Sequence, residues 1–168
     1  MNNIVAILEI RSEQVALYKQ FFMAGLMADE ESFRMTTADD ANLSFPTKDK
    51  EDSFTLGAYV DNELAGVVSF AREGTDREKL RHKGLLFRML VARKFRGQGL
   101  ANKLIEELLA RVKKIDTIEQ INLTVIAGNE TAKTLYEKFG FETFSIEHHA
   151  TKWKGKYFTE EQMVLRLK

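Results

Sequence analysis

A mixed, largely antiparallel sheet of seven strands with about four helices on its two faces is the fold class this sequence predicts. Three observations predict it. A near-continuous apolar run, Leu85 to Val91, passes through a short basic turn with two glycines into an amphipathic helix carrying Leu100, Leu104, Ile105, Leu108 and Leu109, which reads as strand, tight loop, helix. The runs FTLGAYV and ELAGVVSF are separated only by Asp61-Asn62, the mark of a β-hairpin. Beyond Phe139-Gly140-Phe141, Glu142 to His149 and Lys156 to Leu167 have the composition of a second strand pair, joined by residues 151–155.

The other elements follow in chain order. Ile4 to Ile10 reads as a first strand, and Ser12 with Glu13 opens a helix ending near Gly25 or Met27. Ala28 to Ser53 is polar and acidic, with the only proline at position 46; a short helix from Glu30 to about Ala41 is expected, then loop. Ala71 to Lys83 is charged and reads as an exposed connection into the central strand. Ile121 to Ile126 alternates as a strand, and Asn129 opens a last helix through Tyr136.

Composition narrows the class. At 168 residues, 44% hydrophobic and 30% charged, the chain is expected to form one domain, residues 1–168, with a real core. It has no cysteine, which excludes disulfides, thiolate metal sites and a cysteine nucleophile, and argues for the cytoplasm as compartment. The apolar run near the N-terminus is about five residues long and holds Glu9, too short for a signal or membrane segment. His148 and His149 have no zinc-like spacing, so no metal is expected.

Charge is neutral overall but unevenly spread. Lys79 to Ile105 hold eight Lys or Arg and no Asp or Glu, whereas the chain up to Glu78 holds seven basic and fifteen acidic residues. The basic stretch surrounds the loop Arg96-Gly97-Gln98-Gly99-Leu100-Ala101, where glycines expose backbone N–H groups at a helix N-terminus. Such a loop binds anions, phosphate above all. It is not a G-x-x-x-x-G-K-[ST] loop, because Leu100 and Ala101 follow Gly99, and it fits G-x-G-x-x-G poorly, because Asn102 takes the third glycine's place. Nucleic-acid binding is not expected, since the basic stretch is confined to this one strand and loop.

What the loop does match is R-x-x-G-x-A after an apolar strand, followed by a strand, Asn129, and a helix carrying Tyr136 before Phe139-Gly140-Phe141. The chain thereby resembles the GCN5-related N-acetyltransferases (GNAT) over nearly its whole length, most strongly from Leu85 to Phe141. The resemblance implies a sheet that splays open between the strands ending near Val91 and Ile126, with acetyl-CoA in the opening. It also implies that backbone groups of Leu90 and Val91 hold the pantetheine arm, that Arg96, Gly97, Gln98, Gly99, Leu100 and Ala101 grip the pyrophosphate, that Asn129 contacts the cofactor or caps its helix, and that Tyr136 is the general acid. Packing is the other reading of Tyr136.

The strand from Gly84 to Val91 carries no carboxylate, so the base is left among Glu73, His82 and ordered water. The acidic residues between Ala28 and Ser53 form, by resemblance, a wall of the acceptor site and hint at a cationic amine; a solvated loop is the plainer reading. Trp153 is a candidate for an acceptor pocket or a dimer contact. The expected activity is transfer of an acetyl group to a primary amine of a small molecule or peptide, in a protein that does not enter a membrane and can form a homodimer. A non-catalytic acyl-CoA-binding module on the same fold is the alternative.

Overall fold

The structure is a computed structural model that describes residues 2–168; Met1, with which the expected single-domain span begins, lies outside the described residues. The chain runs β1 (Val5–Ile10), α1 (Val15–Ala28), α2 (Thr37–Ala41), β2 (Ser53–Val60) and β3 (Glu63–Arg72). It continues β4 (Lys83–Val91), α3 (Leu100–Val112), β5 (Gln120–Ile126), α4 (Glu130–Lys138), β6 (Glu142–Trp153) and β7 (Lys156–Arg166). The strands form one sheet in the order β1-β2-β3-β4-β5-β7-β6, and every pairing is antiparallel except that of β4 with β5.

Turn chemistry sets the two hairpins. Asp61 and Asn62 take φ values of 48° and 69°, the left-handed conformation a two-residue turn demands and that Asp and Asn tolerate. Lys154 and Gly155, at 48° and 79°, do the same between β6 and β7. The joining segment expected over residues 151–155 therefore shrinks to two residues, and β6 runs four residues past His149 to Trp153. The acidic segment also departs from expectation. Only a single 3-10 turn covers Glu30–Ser32, and α2 begins after Thr36, whose hydroxyl accepts the Asp39 N–H (3.2 Å) while the Asp39 carboxylate accepts the Thr36 N–H (2.8 Å). That reciprocal cap fixes the helix start seven residues later than Glu30.

Two cores lie on opposite faces of the sheet. On one, α1 packs Tyr18, Phe22 and Leu26 against Ile10, Val67 and Leu90. On the other, the buried stripe Leu100, Leu104, Ile105, Leu108 and Val112 of α3 covers Leu56, Ala58, Val68 and Phe70, and α4 adds Tyr136 beside Phe141. Alternation along β3, with Val67 in one core and Val68 in the other, is the two-residue period of a strand buried on both sides.

The sheet opens between β4 and β5. Their parallel pairing holds only Lys83↔Gln120, Gly84↔Ile121 and Leu85↔Asn122, and ends there. Past that point β4 is bulged: Val67 faces Leu90 and Ser69 faces Phe87, so three steps on β4 oppose two on β3, and Arg88 takes a φ of 52°. The bulge adds local twist and turns the end of β4 away from β5. At the closed end, a Cβ on Gly84 would stand 2.3 Å from the buried ring of Phe70. Gly84→Ala is therefore expected to destabilise the protein by about 1–3 kcal/mol, through displacement of that ring. A urea-unfolding midpoint equal to wild type would show that the ring can move without loss.

Candidate active site

The diverging halves of β4 and β5 enclose a cleft of about 710 Å³ lined by Leu85 to Val91 on one side and Leu123 to Ile126 on the other. The loop after β4 closes one end of it through Arg96, Gly97, Gly99, Leu100 and Ala101, and α4 contributes Asn129, Ala132, Leu135 and Tyr136. Of the residues expected to hold the cofactor or to act as the general acid, only Gln98 does not line the cleft; it is the exposed middle of the loop.

The loop has the build of an anion cradle. Gly97 and Gly99 both adopt φ of 76°, and no heavy atom lies within 4 Å of where a Cβ would stand on either, so the loop presents open backbone. Gly99 caps α3 with no side chain bonded to its N-terminal amides, and the Lys103 N–H, bonding Gly99 O at 3.2 Å, closes the first helical turn. The amides of Leu100, Ala101 and Asn102 precede that turn and have no helical acceptor. Lys138, from the end of α4, holds Asn102 Oδ1 at 2.7 Å and so brings an ammonium to the same helix end, a residue the sequence reading did not single out. These features fit a diphosphate group.

Above the loop, Val91 and Leu90 play different parts. The Ala92 N–H donates to Ala65 O of β3 (2.9 Å), so the backbone groups of Val91, one residue earlier, face the opposite way, into the cleft. Arg96 Nε donates to Val91 O at 3.0 Å, leaving the Val91 N–H as the free donor. The Leu90 carbonyl faces Gly66 of β3, and its side chain packs against Gly25 of α1. Leu90 thus offers the cleft an apolar wall.

Asn129 Oδ1 accepts the Ala132 N–H (3.2 Å), so it caps α4 while also lining the cleft. Tyr136 projects from the same helix, with its ring edge-on to Phe141 at 5.8 Å. Burial raises the Tyr136 phenol further above its ordinary pKa, so it is protonated throughout the neutral range.

The two side chains considered for the base lie elsewhere. The Glu73 N–H donates to Lys83 O, and His82 O accepts the Glu119 and Gln120 amides, which places both residues at the closed end of the strands and outside the cleft wall. Two carboxylates do line the cleft: Asp29, which is ion-paired to Arg93 and Arg96, and Glu160 of β7, opposite Ile126 of β5 and fully buried. The position of Glu160 is in phase with Phe158 and Val164 along the strand. Gln162 and Arg166 share that phase, so the signal in the sequence was faint.

Four acidic residues of the stretch before β2 prove to be ion-paired within the fold. Asp29 takes Arg93 (2.9 Å) and Arg96 (2.6 Å), Glu30 takes Trp153 Nε1 and Lys154 (2.9 Å each), Glu31 takes Lys156 (3.4 Å), and buried Asp40 takes Arg88 (3.1 Å). Partial burial pushes the Asp29 carboxyl up, but the hydrogen bonds from Arg93 and Arg96 outweigh this and hold it below the usual carboxylate range. An acidic wall facing a cation is thus not what these residues build. Trp153 serves the same clasp, donating to Glu30, and is not part of the cleft lining. His149 stacks on Tyr157 at 4.3 Å, and among the described residues no group of three His, Asp or Glu is gathered closely enough to hold a metal ion. Among them, too, no helix is long and apolar enough to cross a membrane.

Known proteins share both fold and sequence pattern. An acetyltransferase of the GNAT family from Streptococcus pneumoniae superposes with a TM-score of 0.85 at 20% identity, over 98% of this chain and all of that one. A protein from Acinetobacter baylyi superposes at 0.82 with 18% identity, over 99% of this chain and 93% of that one. In sequence, the spermine/spermidine N(1)-acetyltransferase of Bacillus subtilis is 26% identical over 91 residues, 52% of this chain and 58% of that protein. The streptothricin acetyltransferase of Escherichia coli is 30% identical over 116 residues, 67% of this chain and 61% of that protein. The chain thus spans about three-fifths of the length of these relatives. The model of the acetyltransferase (GNAT) family matches residues 16–141, three-quarters of the chain and every element that lines the cleft except β7, and on that ground the chain belongs to the GNAT family.

Proposed function

We propose that this protein transfers the acetyl group of acetyl-CoA to a primary amine of a small molecule or peptide, by direct attack of the amine. The observation that carries the reading is the opening of β4 from β5 after three paired residues, with an anion cradle at one end and a buried phenol in the wall. Two relatives whose names give amine-bearing acceptors, the polyamines and streptothricin, support the choice of an amine.

The cosubstrate supplies an acyl group already activated as a thioester; the remaining work falls to the chain. Backbone amides from Gly97 to Ala101 hold the diphosphate, with Arg96 and Lys138 nearby to offset its charge. The Val91 N–H is the donor for the thioester carbonyl, where negative charge develops. Tyr136, kept neutral by burial, gives a proton to the sulfur as it departs. The apolar walls from Leu90, Leu123 and Val125 exclude water and strengthen each of these interactions. Holding both reactants in one cleft supplies much of the acceleration by itself.

Calorimetric titration of acetyl-CoA into the purified protein, followed by a thiol-release assay with spermidine, tests the reading. Micromolar binding and amine-dependent thiol release are expected. A folded protein that binds no acetyl-CoA would refute it.

A further inference from the structure

Among the described residues, Glu160 is the one side chain in which both carboxylate oxygens are buried with no hydrogen-bond donor. Sealing a carboxylate in a wall without donors is costly, and the lone pairs call for a partner that arrives from outside. The chain offers Arg34 alone: its Nε stands 3.0 Å from Oε1 without the alignment of a hydrogen bond, and its side chain is 63% exposed. Arg34, from the segment between α1 and α2, lines the same cleft. A half-free guanidinium therefore covers a fully buried carboxylate that faces the same space as Tyr136 and Val91.

Chemistry narrows the occupant. A primary ammonium group is small, carries one positive charge and has three N–H donors, enough to satisfy both oxygens, which Arg34 in its present position does not. An anionic group would meet Glu160 in repulsion. Of the other carboxylates near this end, Asp29, Asp40, Glu30 and Glu31 are already paired within the fold, and Glu147 of β6, opposite Glu160, does not line the cleft.

We propose that Glu160 is the catalytic carboxylate that receives the acceptor: a primary ammonium group displaces Arg34, donates hydrogen bonds to Glu160 and surrenders one proton to it. This rests on the acetyl-transfer reading above and deepens it. The lone pair so freed forms the C–N bond to the acetyl carbon, and the C–S bond breaks with its electron pair on sulfur. Tyr136 protonates the sulfur and is replenished by the surplus proton of the new amide nitrogen. Glu160 releases its proton to solvent, so ammonium and thioester give amide, thiol and one proton.

The pH dependence carries a signature. Burial pushes the Glu160 carboxyl above the usual range, Arg34 pulls it down, and Glu147, its neighbour on β6, pushes it up; Ile126 faces it from β5. The ionised form is the active one, so kcat/KM falls as pH drops through this pKa. Removing Arg34 moves that limb to higher pH, and removing the Glu147 charge moves it lower.

The test compares wild type, Glu160→Gln, Arg34→Gln and Glu147→Gln in acetyl-CoA calorimetry and in thiol release with n-butylamine and spermidine across pH. Glu160→Gln is expected to bind acetyl-CoA as wild type does and to lose about 100-fold or more in kcat/KM. The acid limb is expected to rise in Arg34→Gln and fall in Glu147→Gln, shifts that a merely structural Glu160 would not produce. These two shifts decide the matter alone should Glu160→Gln fail to fold. Wild-type turnover in Glu160→Gln, unmoved limbs in both other variants, or a wild type that binds acetyl-CoA yet acetylates neither amine would overturn the proposal. A wild type that does not bind acetyl-CoA removes the transfer reading itself, and this assignment with it.

Discussion

Tyr136→Phe is expected to lower kcat by about 10²–10⁴-fold, the range for loss of a positioned proton donor, while acetyl-CoA binding and fold are retained. The two parts of the expectation have separate causes. The ring is 6% exposed and sits edge-on to Phe141 at 5.8 Å, contacts that phenylalanine keeps. Only the hydroxyl is lost, and with it the proton proposed to reach the departing sulfur. Stopped-flow thiol release with a saturating amine measures kcat directly, and calorimetry checks that the cosubstrate still binds. A kcat equal to wild type would move proton delivery from Tyr136 to solvent and leave the residue a packing role.

Gly99→Glu is expected to weaken acetyl-CoA binding by about 100-fold, equivalent to about 2.8 kcal/mol. A carboxylate there would project into the space proposed for the diphosphate, since nothing lies within 4 Å of the Cβ position. The φ of 76° adds strain for any side chain, which the Gly99→Ala variant measures by itself. The difference between the two variants is the charge effect, and it should shrink as salt is added. Equal affinities for Gly99→Ala and Gly99→Glu would show that the anion is bound elsewhere.

How much of this was legible in the sequence followed the range of each interaction. The hairpin at Asp61-Asn62, the Asn129 cap and the glycine loop are local devices, and each stands where the residue pattern placed it. The late start of α2 was also local, written in the Thr36 and Asp39 pair, but the run of helix-compatible residues from Glu30 obscured it. The pairing of the acidic stretch was not legible because its partners are remote: Asp29 finds Arg93 and Arg96 across more than sixty residues, and Glu30 finds Trp153 across 123. Glu160 escaped notice for a related reason. Its neighbours Glu161 and Gln162 give the strand a solvated look, and only its phase with Phe158 and Val164 shows that it turns inward. The bulge at Arg88 had no signal at all, since arginine rarely takes a positive φ and here does so while held to buried Asp40.

The three-residue junction of β4 with β5 has a consequence for motion. It divides the sheet into a four-strand part and a three-strand part, and the amides of Val91 and its counterparts at the end of β5 have a strand neighbour on one side only. In hydrogen exchange, the facing edges of these two strands should lose protection well before their outer edges, as two weakly joined cooperative units. A ligand that spans the opening ties them into one, slowing exchange on both edges at once and raising the thermal midpoint with its concentration.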